Sequence, residues 1–321
     1  MAAEYGSDDG VIATNDDATS CKACAVSLGY WKDPYLPHVY PAAPDRRPPE
    51  INRGFYARTH SIFLLIQKFI QVTKGDCQIV NLGAGFDTLF WRLKSAGHTP
   101  VRFIELDFSE VTAKKTHYIQ RSKALLQAIS DDDYDIKLNR NNLHGFRYKL
   151  MSTDLRVLSE VEAKLEESEI DYSLPTAFIA ECVLVYMCPT KSSQLLNWIA
   201  KKFKSAFFIN YEMVQERNIY VNLGDRFGEV MLSNLRSRHC DLQGAAACAT
   251  LQSQEDRFVQ EGWAGAEATD MMGLWERLPR ADVSRVMRLE MLDENELLTQ
   301  LFSHYCITTA WTDTRWTEIT L

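Results

Sequence analysis

"QIVNLGAGFDTLFWRL", residues 78–93, runs as an apolar strand, breaks on Gly83 and Gly85, and resumes as a helix. Glycines at such a break allow a tight bend and close approach of a ligand, with a helix N-terminus ahead. A dinucleotide fingerprint wants a third glycine at position 88, where this chain has Thr88, and the lysine-bearing phosphate loop is absent as well. The turn taken alone is also compatible with a purely structural role.

Outward from this turn, short β-prone runs recur: "CQIVNLG" (77–83), "VRFIELD" (101–107), "FRYKLMSTD" (146–154), "TAFIAECVLVYM" (176–187) and "AFFINYEMV" (206–214). Runs apolar on both faces suit the interior of a parallel sheet covered by helices. The intervals hold crossover helices at 86–97, 109–129, 157–167 and 190–204, which predicts a doubly wound α/β fold. Upstream, Ile62, Leu65, Ile66 and Phe69 predict a helix over 58–73, after an irregular Pro-rich stretch "YPAAPDRRPPEINRG" (40–54). Residues 225–300 read as mainly helical, with Phe227, Val230, Met231 and Leu235 on one stripe and "DRFVQEGW" (256–263) farther on. Two β-prone runs, "HYCITTAWTD" (304–313) and "TRWTEITL" (314–321), predict a closing hairpin. The helical insertion before it would sit above the strand ends, where open α/β sheets bind ligands.

The chain has 321 residues, 46% hydrophobic and 24% charged, the balance of an ordinary soluble globular protein. Its net charge is −8, but residues 1–20 carry Glu4, Asp8, Asp9, Asp16 and Asp17 and no Lys or Arg. That segment reads as a disordered acidic tail, with ordered structure beginning near Cys21. The rest is nearly neutral, so no nucleic-acid surface is expected. No secretory signal and no membrane-spanning run is visible, so a cytoplasmic protein is expected. The eight cysteines then read as reduced thiols, and Cys21 and Cys24 as neighbours on one helix turn, with no metal implied.

Acidic residues mark the ends of the later strands. Asp107, 24 residues after Gly83, stands where a carboxylate can accept from both ribose hydroxyls. Glu105 lies on the same face of that strand and stays a candidate beside it. Asp154 ends the third run, where it could take an adenine amino group while the Leu155 amide bonds the ring. Glu181 interrupts an apolar strand, and a buried carboxylate there demands a ligand or a cation.

Gly-x-Gly with Asp, Asp and Glu after successive strands resembles the class I S-adenosylmethionine-dependent methyltransferases. Their cofactor has no pyrophosphate, so the third glycine is dispensable. A finer resemblance runs from about residue 20 to the C-terminus. "CKACAVSLGYWKDPY" (21–35), "PPEINRGFYARTHS" (48–61), the opening stretch, "AECVLVYM" (180–187), "FINYE" (208–212), "GDRFG" (224–228) and "LPRADVSRV" (278–286) resemble the leucine carboxyl methyltransferases. Only the stretch "QERNIYV" (215–221) departs, being longer than expected of the family.

The resemblance implies a Rossmann-like domain over residues 21–321, with a mainly parallel seven-stranded sheet, a C-terminal hairpin and a helical lid from about 21–75 and 215–300. It implies S-adenosylmethionine as cofactor, S-adenosylhomocysteine as product, and contacts to it from Gly83, Gly85, Asp107, Asp154, Leu155 and Glu181. Lys22 and Arg58 would face the cofactor's amino-acid end or the acceptor carboxylate, and Tyr186 would lie near the point of transfer. From residue type alone, Lys22 could be a solvated lysine, Arg58 a surface ion pair and Tyr186 core. The implied acceptor is the C-terminal leucine carboxylate of the type 2A protein phosphatase catalytic subunit, methylated by a monomer to regulate holoenzyme assembly. A carboxylate is ionised at neutral pH and needs orientation rather than a base. Two alternatives are a related carboxyl methyltransferase of tRNA wybutosine synthesis, and a phosphatase-binding protein without activity. The first is expected to carry nucleic-acid surface and a further repeat domain, neither of which this sequence shows.

Overall fold

In a computed structural model, residues 8–131, 134–214 and 226–321 are described. Helix α1 (Asp9–Ser27) comes first, then one turn, α2 (Leu36–Val39), and the long α3 (Pro49–Val72). The alternating part follows as β1 (Gln78–Leu82), α4 (Leu89–Ser95), β2 (Arg102–Asp107), α5 (Ser109–Arg121) and α6 (Lys123–Ile129). Two-residue strands β3 (Lys137–Leu138) and β4 (Leu143–His144) precede β5 (Tyr148–Ser152), α7 (Leu158–Glu167) and β6 (Thr176–Glu181). A 3-10 turn (Leu184–Tyr186), α8 (Pro189–Lys202) and β7 (Ala206–Met213) complete this half. The remainder runs α9 (Arg226–Ser237), α10 (Leu251–Val259), β8 (Gly265–Asp270), α11 (Met271–Arg277), α12 (Arg280–Met287), α13 (Asn295–Ser303) and β9 (Tyr305–Trp311).

All strands form one sheet in the order β3-β4-β5-β2-β1-β6-β7-β9-β8. Strands β5, β2, β1, β6 and β7 are mutually parallel, and β9 enters antiparallel between β7 and β8. Leaving aside the short β3 and β4, this is the seven-stranded order of class I methyltransferases. Strand β1 is buried at all five positions because it has sheet neighbours on both sides and helices on both faces. Strand order reverses between β1 and β6, which opens a crevice beyond their C-terminal ends.

Four expectations need correction. Residues 8–20 are not a disordered tail: they form most of α1. The helix expected at 58–73 begins already at Pro49, because proline at a first helical position forfeits no intrahelical bond. "TRWTEITL" is not a strand: Asp313 accepts from the Arg315 amide and starts a 3-10 turn that buries Trp316. The hairpin partner of β9 is instead β8, within the region read as helical. The stretch "QERNIYV" falls outside the described residues, as does the start of "GDRFG".

Candidate functional site

A cavity of about 350 Å³ lies at the crevice, walled by the ends of β1, β2, β5 and β6 and roofed by α1, α3 and α9. It brings together Lys22, Arg58, Gly83, Gly85, Asp107, Asp154, Leu155, Glu181 and Tyr186. These come from six separate segments of the chain, joined only by the sheet and its covering helices. Among the described residues no helix is long and apolar enough to cross a membrane, and all eight cysteines are free, with Cys21 and Cys24 a turn apart on α1.

The glycine turn is left-handed at both glycines, with φ of +64° at Gly83 and +52° at Gly85. A Cβ on Gly85 would meet Asn15 Oδ1 at 2.5 Å, and one on Gly83 would meet Val183 Cγ2 at 2.6 Å. The close approach these glycines permit is therefore made partly by the protein itself. Asn15 Oδ1 also accepts from the Phe86 amide at 2.9 Å, which seats α1 on the turn. Thr88, where a third glycine was missing, is buried and donates to Asp33 at 2.5 Å.

Asp107 and Glu105 part company here. Glu105 is fully buried against Lys115 Nζ at 2.5 Å and Tyr148 Oη at 2.6 Å, away from the cavity. Asp107 lines the cavity, its two oxygens accepting from the amides of Gly85 at 2.6 Å and Phe108 at 2.7 Å. Burial raises its pKa and the two amides oppose that rise. Each carboxylate oxygen keeps a further lone pair for ligand hydroxyls. Asp154 holds Arg156, and Arg156 reaches on to Asp8 of the α1 entry through bonds of 2.9 and 2.7 Å.

The cationic contact expected for Glu181 is double. Lys22 Nζ lies 2.9 and 3.1 Å from its two oxygens, and Arg58 Nε donates to Oε1. Burial opposes ionisation of Glu181, but the Arg58 and Lys22 charges outweigh it and hold its pKa down at about 2. Arg58 lies across Tyr211, 4.5 Å from the ring centre, and its terminal guanidinium nitrogens make no hydrogen bond among the described residues. Tyr211 in turn stacks on Tyr305 at 5.3 Å. Cys182 follows Glu181 with φ of 56°, a strained backbone for a non-glycine residue. Burial pushes its thiol up to about 12, so it stays protonated. Tyr186 is likewise held as a neutral phenol by burial.

Asn15, Tyr211, Tyr305 and the first half of α1 escaped the sequence reading. Only Tyr211 carried a signal, inside "FINYE". Behind the site, Glu212 Oε2 accepts from the Val185 amide at 3.0 Å and so fixes the 3-10 turn carrying Tyr186. Burial raises both Glu212 and Glu105 from 4.5 to about 7. The folded protein then keeps protons that the unfolded chain releases, so stability falls as pH rises from about 4.5 to about 7. Glu212→Gln keeps an acceptor and removes one titration; it is expected to flatten that fall by about half. Thermal unfolding midpoints compared at about pH 5 and about pH 7.5 check this; an unchanged slope refutes it.

The cofactor of the class I fold fits these residues. Acceptors for ribose hydroxyls stand at Asp107, an acid and an amide for adenine at Asp154 and Leu155, and paired charges of both signs at Glu181, Lys22 and Arg58 for an amino-acid end or an acceptor carboxylate. A family model described as leucine carboxyl methyltransferase matches residues 13–200. The chain is 46% identical over 304 residues to leucine carboxyl methyltransferase 1 of Bos taurus, covering 94% of this chain and 89% of that protein. It is 40% identical over 319 residues to leucine carboxyl methyltransferase 1 of Caenorhabditis elegans, covering 95% and 92%. To tRNA wybutosine-synthesizing protein 4 of Rattus norvegicus it is 31% identical over 307 residues, 94% of this chain but 44% of that protein. The chain thus belongs to the leucine carboxyl methyltransferase family and is a methyltransferase that uses S-adenosylmethionine.

Proposed function

We propose that this chain methylates the α-carboxylate of the C-terminal leucine on the type 2A protein phosphatase catalytic subunit, as a cytoplasmic monomer that thereby regulates holoenzyme assembly. The observation that carries the reading is Arg58, a buried guanidinium held at Nε by Glu181, with its terminal nitrogens unengaged in the cavity. A guanidinium in that state grips a carboxylate through parallel donors. Relatives named leucine carboxyl methyltransferase 1 support a leucine carboxylate as the accepting group.

Bound S-adenosylmethionine supplies an electrophilic methyl group on its sulfonium. The residues of this chain do the rest by position. Asp107, Asp154, Leu155 and Glu181 hold the cofactor. Arg58, with Lys22 beside it, fixes the acceptor carboxylate, which is ionised above about pH 4 and needs no base. The α1 roof removes water that would blunt the nucleophile. Cys182, kept protonated, does not compete as a thiolate.

The test uses purified protein, methyl-labelled cofactor and phosphatase core with either a free or an amidated C-terminus. Label is expected on the free form alone. Label on the amidated form, or none on the free form while cofactor binds, sinks the proposal. The wybutosine-type reading rests on a relative of which this match covers 44%; label on tRNA in the same assay would favour it.

A further inference from the structure

A second cavity, of about 320 Å³, is bounded by α3, α4 and the loop carrying Trp31 and Lys32. It shares no lining residue with the first. Three polar atoms in its wall are buried and have no hydrogen-bond partner among the described residues: Trp31 Nε1, Thr59 Oγ1 and Arg92 Nε. Two of these can only donate, and the hydroxyl can donate as well. All three are shut off from the open cavity, so the donors it can use are the terminal nitrogens of Arg92, which are not buried and make no hydrogen bond among the described residues.

Charge points the same way. Arg92 and Lys32 form no ion pair among the described residues, and no Asp or Glu lines the cavity. The nearby carboxylate of Asp282, 3.8 Å from Nε2 of the lining residue His60, is already taken by Arg285 Nε at 2.6 Å and Tyr56 Oη at 2.5 Å. Apolar wall is present too: the Arg92 guanidinium lies 5.2 Å from the centre of the Phe63 ring, and both face the cavity along with Trp31. Hence the lining offers donors and positive charge at one part and flat aromatic surface at another. Its size is that of a small-molecule site.

We propose that this cavity binds a small organic oxyanion, a phosphate or carboxylate head on an apolar, ring-sized body. The terminal nitrogens of Arg92 donate to the head, Lys32 adds charge, and the Phe63 and Trp31 rings hold the body. The site is independent of the methyl acceptor and stands or falls separately from it.

Isothermal titration of the full chain with phenyl phosphate and with benzoate tests this. Saturable one-to-one binding of at least one is expected, and the tighter of the two assigns the head group. Arg92→Ala is expected to weaken it about tenfold or more, and Trp31→Ala, which removes a ring of the apolar wall, by a few-fold. Arg58→Ala, in the first cavity, is expected to leave it unchanged. Inorganic phosphate should bind about tenfold more weakly, since it has no apolar body; equal binding overturns that half of the proposal. Absence of saturable heat up to about 10 mM probe overturns the whole. So does loss of binding in Arg58→Ala with Arg92→Ala unaffected. Matching thermal midpoints show that the variants are folded.

Discussion

Arg58→Ala is expected to lower kcat/KM for methyl transfer about 10³-fold, with cofactor-product affinity changed far less. The side chain is buried among Phe55, Tyr211 and Glu181, and its terminal nitrogens face the cavity. Removing it deletes two charge-assisted bonds to an acceptor carboxylate, each about 2 kcal/mol, so about 4 kcal/mol of transition-state binding goes. A second effect runs through Glu181. With Lys22 as its remaining cation, Glu181 is less stabilised as a carboxylate, and its pKa should climb from about 2. Arg58→Lys restores charge but not the planar fork, and should recover less than about tenfold of the loss. Steady-state transfer kinetics alongside titration with S-adenosylhomocysteine separate the two contributions. A variant within about threefold of the parent in kcat/KM would remove Arg58 from the acceptor site.

The parallel half of the fold was legible because buried strands are written as uninterrupted apolar runs. Strands β1, β2, β5, β6 and β7 all fall inside the runs that predicted them. The acidic strand ends were legible too, since a carboxylate within a strand such as Glu181 has to be compensated. Less was visible where tertiary contacts decide. Strand β8 reads GAEATD, with only partial burial at a sheet edge, so it carries neither an apolar run nor an alternation. Helix α1 buries Thr19, Ser20, Cys24 and Ala25, small residues that draw no stripe. Its acids signalled a solvated tail, yet Asp8 and Asp17 are ion-pair partners of Arg156 and Arg238 on distant elements. Local sequence cannot show a partner 148 or 221 residues away. Choosing between Glu105 and Asp107 also required the fold, because the deciding partner, Lys115, sits on the crossover helix.

Deleting residues 1–18 is expected to weaken cofactor-product binding at least about 100-fold while leaving the rest folded. A disordered tail would be dispensable; residues 8–18 are part of the roof. Val11, Ile12, Thr14 and Asn15 line the cavity, and Asn15 bonds the Phe86 amide and packs on Gly85. Losing that wall exposes apolar ligand surface and one hydrogen bond, together about 3 kcal/mol, which converts to a little over 100-fold. The ion pairs are weaker fastenings. Asp17–Arg238 is half exposed and Lys114–Asp16 is 3.8 Å apart, so neither is worth much. Asp8–Arg156 is bidentate and better covered, worth about 1 kcal/mol. Arg156→Ala should therefore weaken binding by several-fold only, and chiefly by speeding release, because α1 must lift for the ligand to leave. The same weakening should follow from added salt in the parent and be absent in the variant. Titration and stopped-flow release of S-adenosylhomocysteine measure both quantities. Full affinity in the truncated chain would show that α1 covers the cavity without contributing to it.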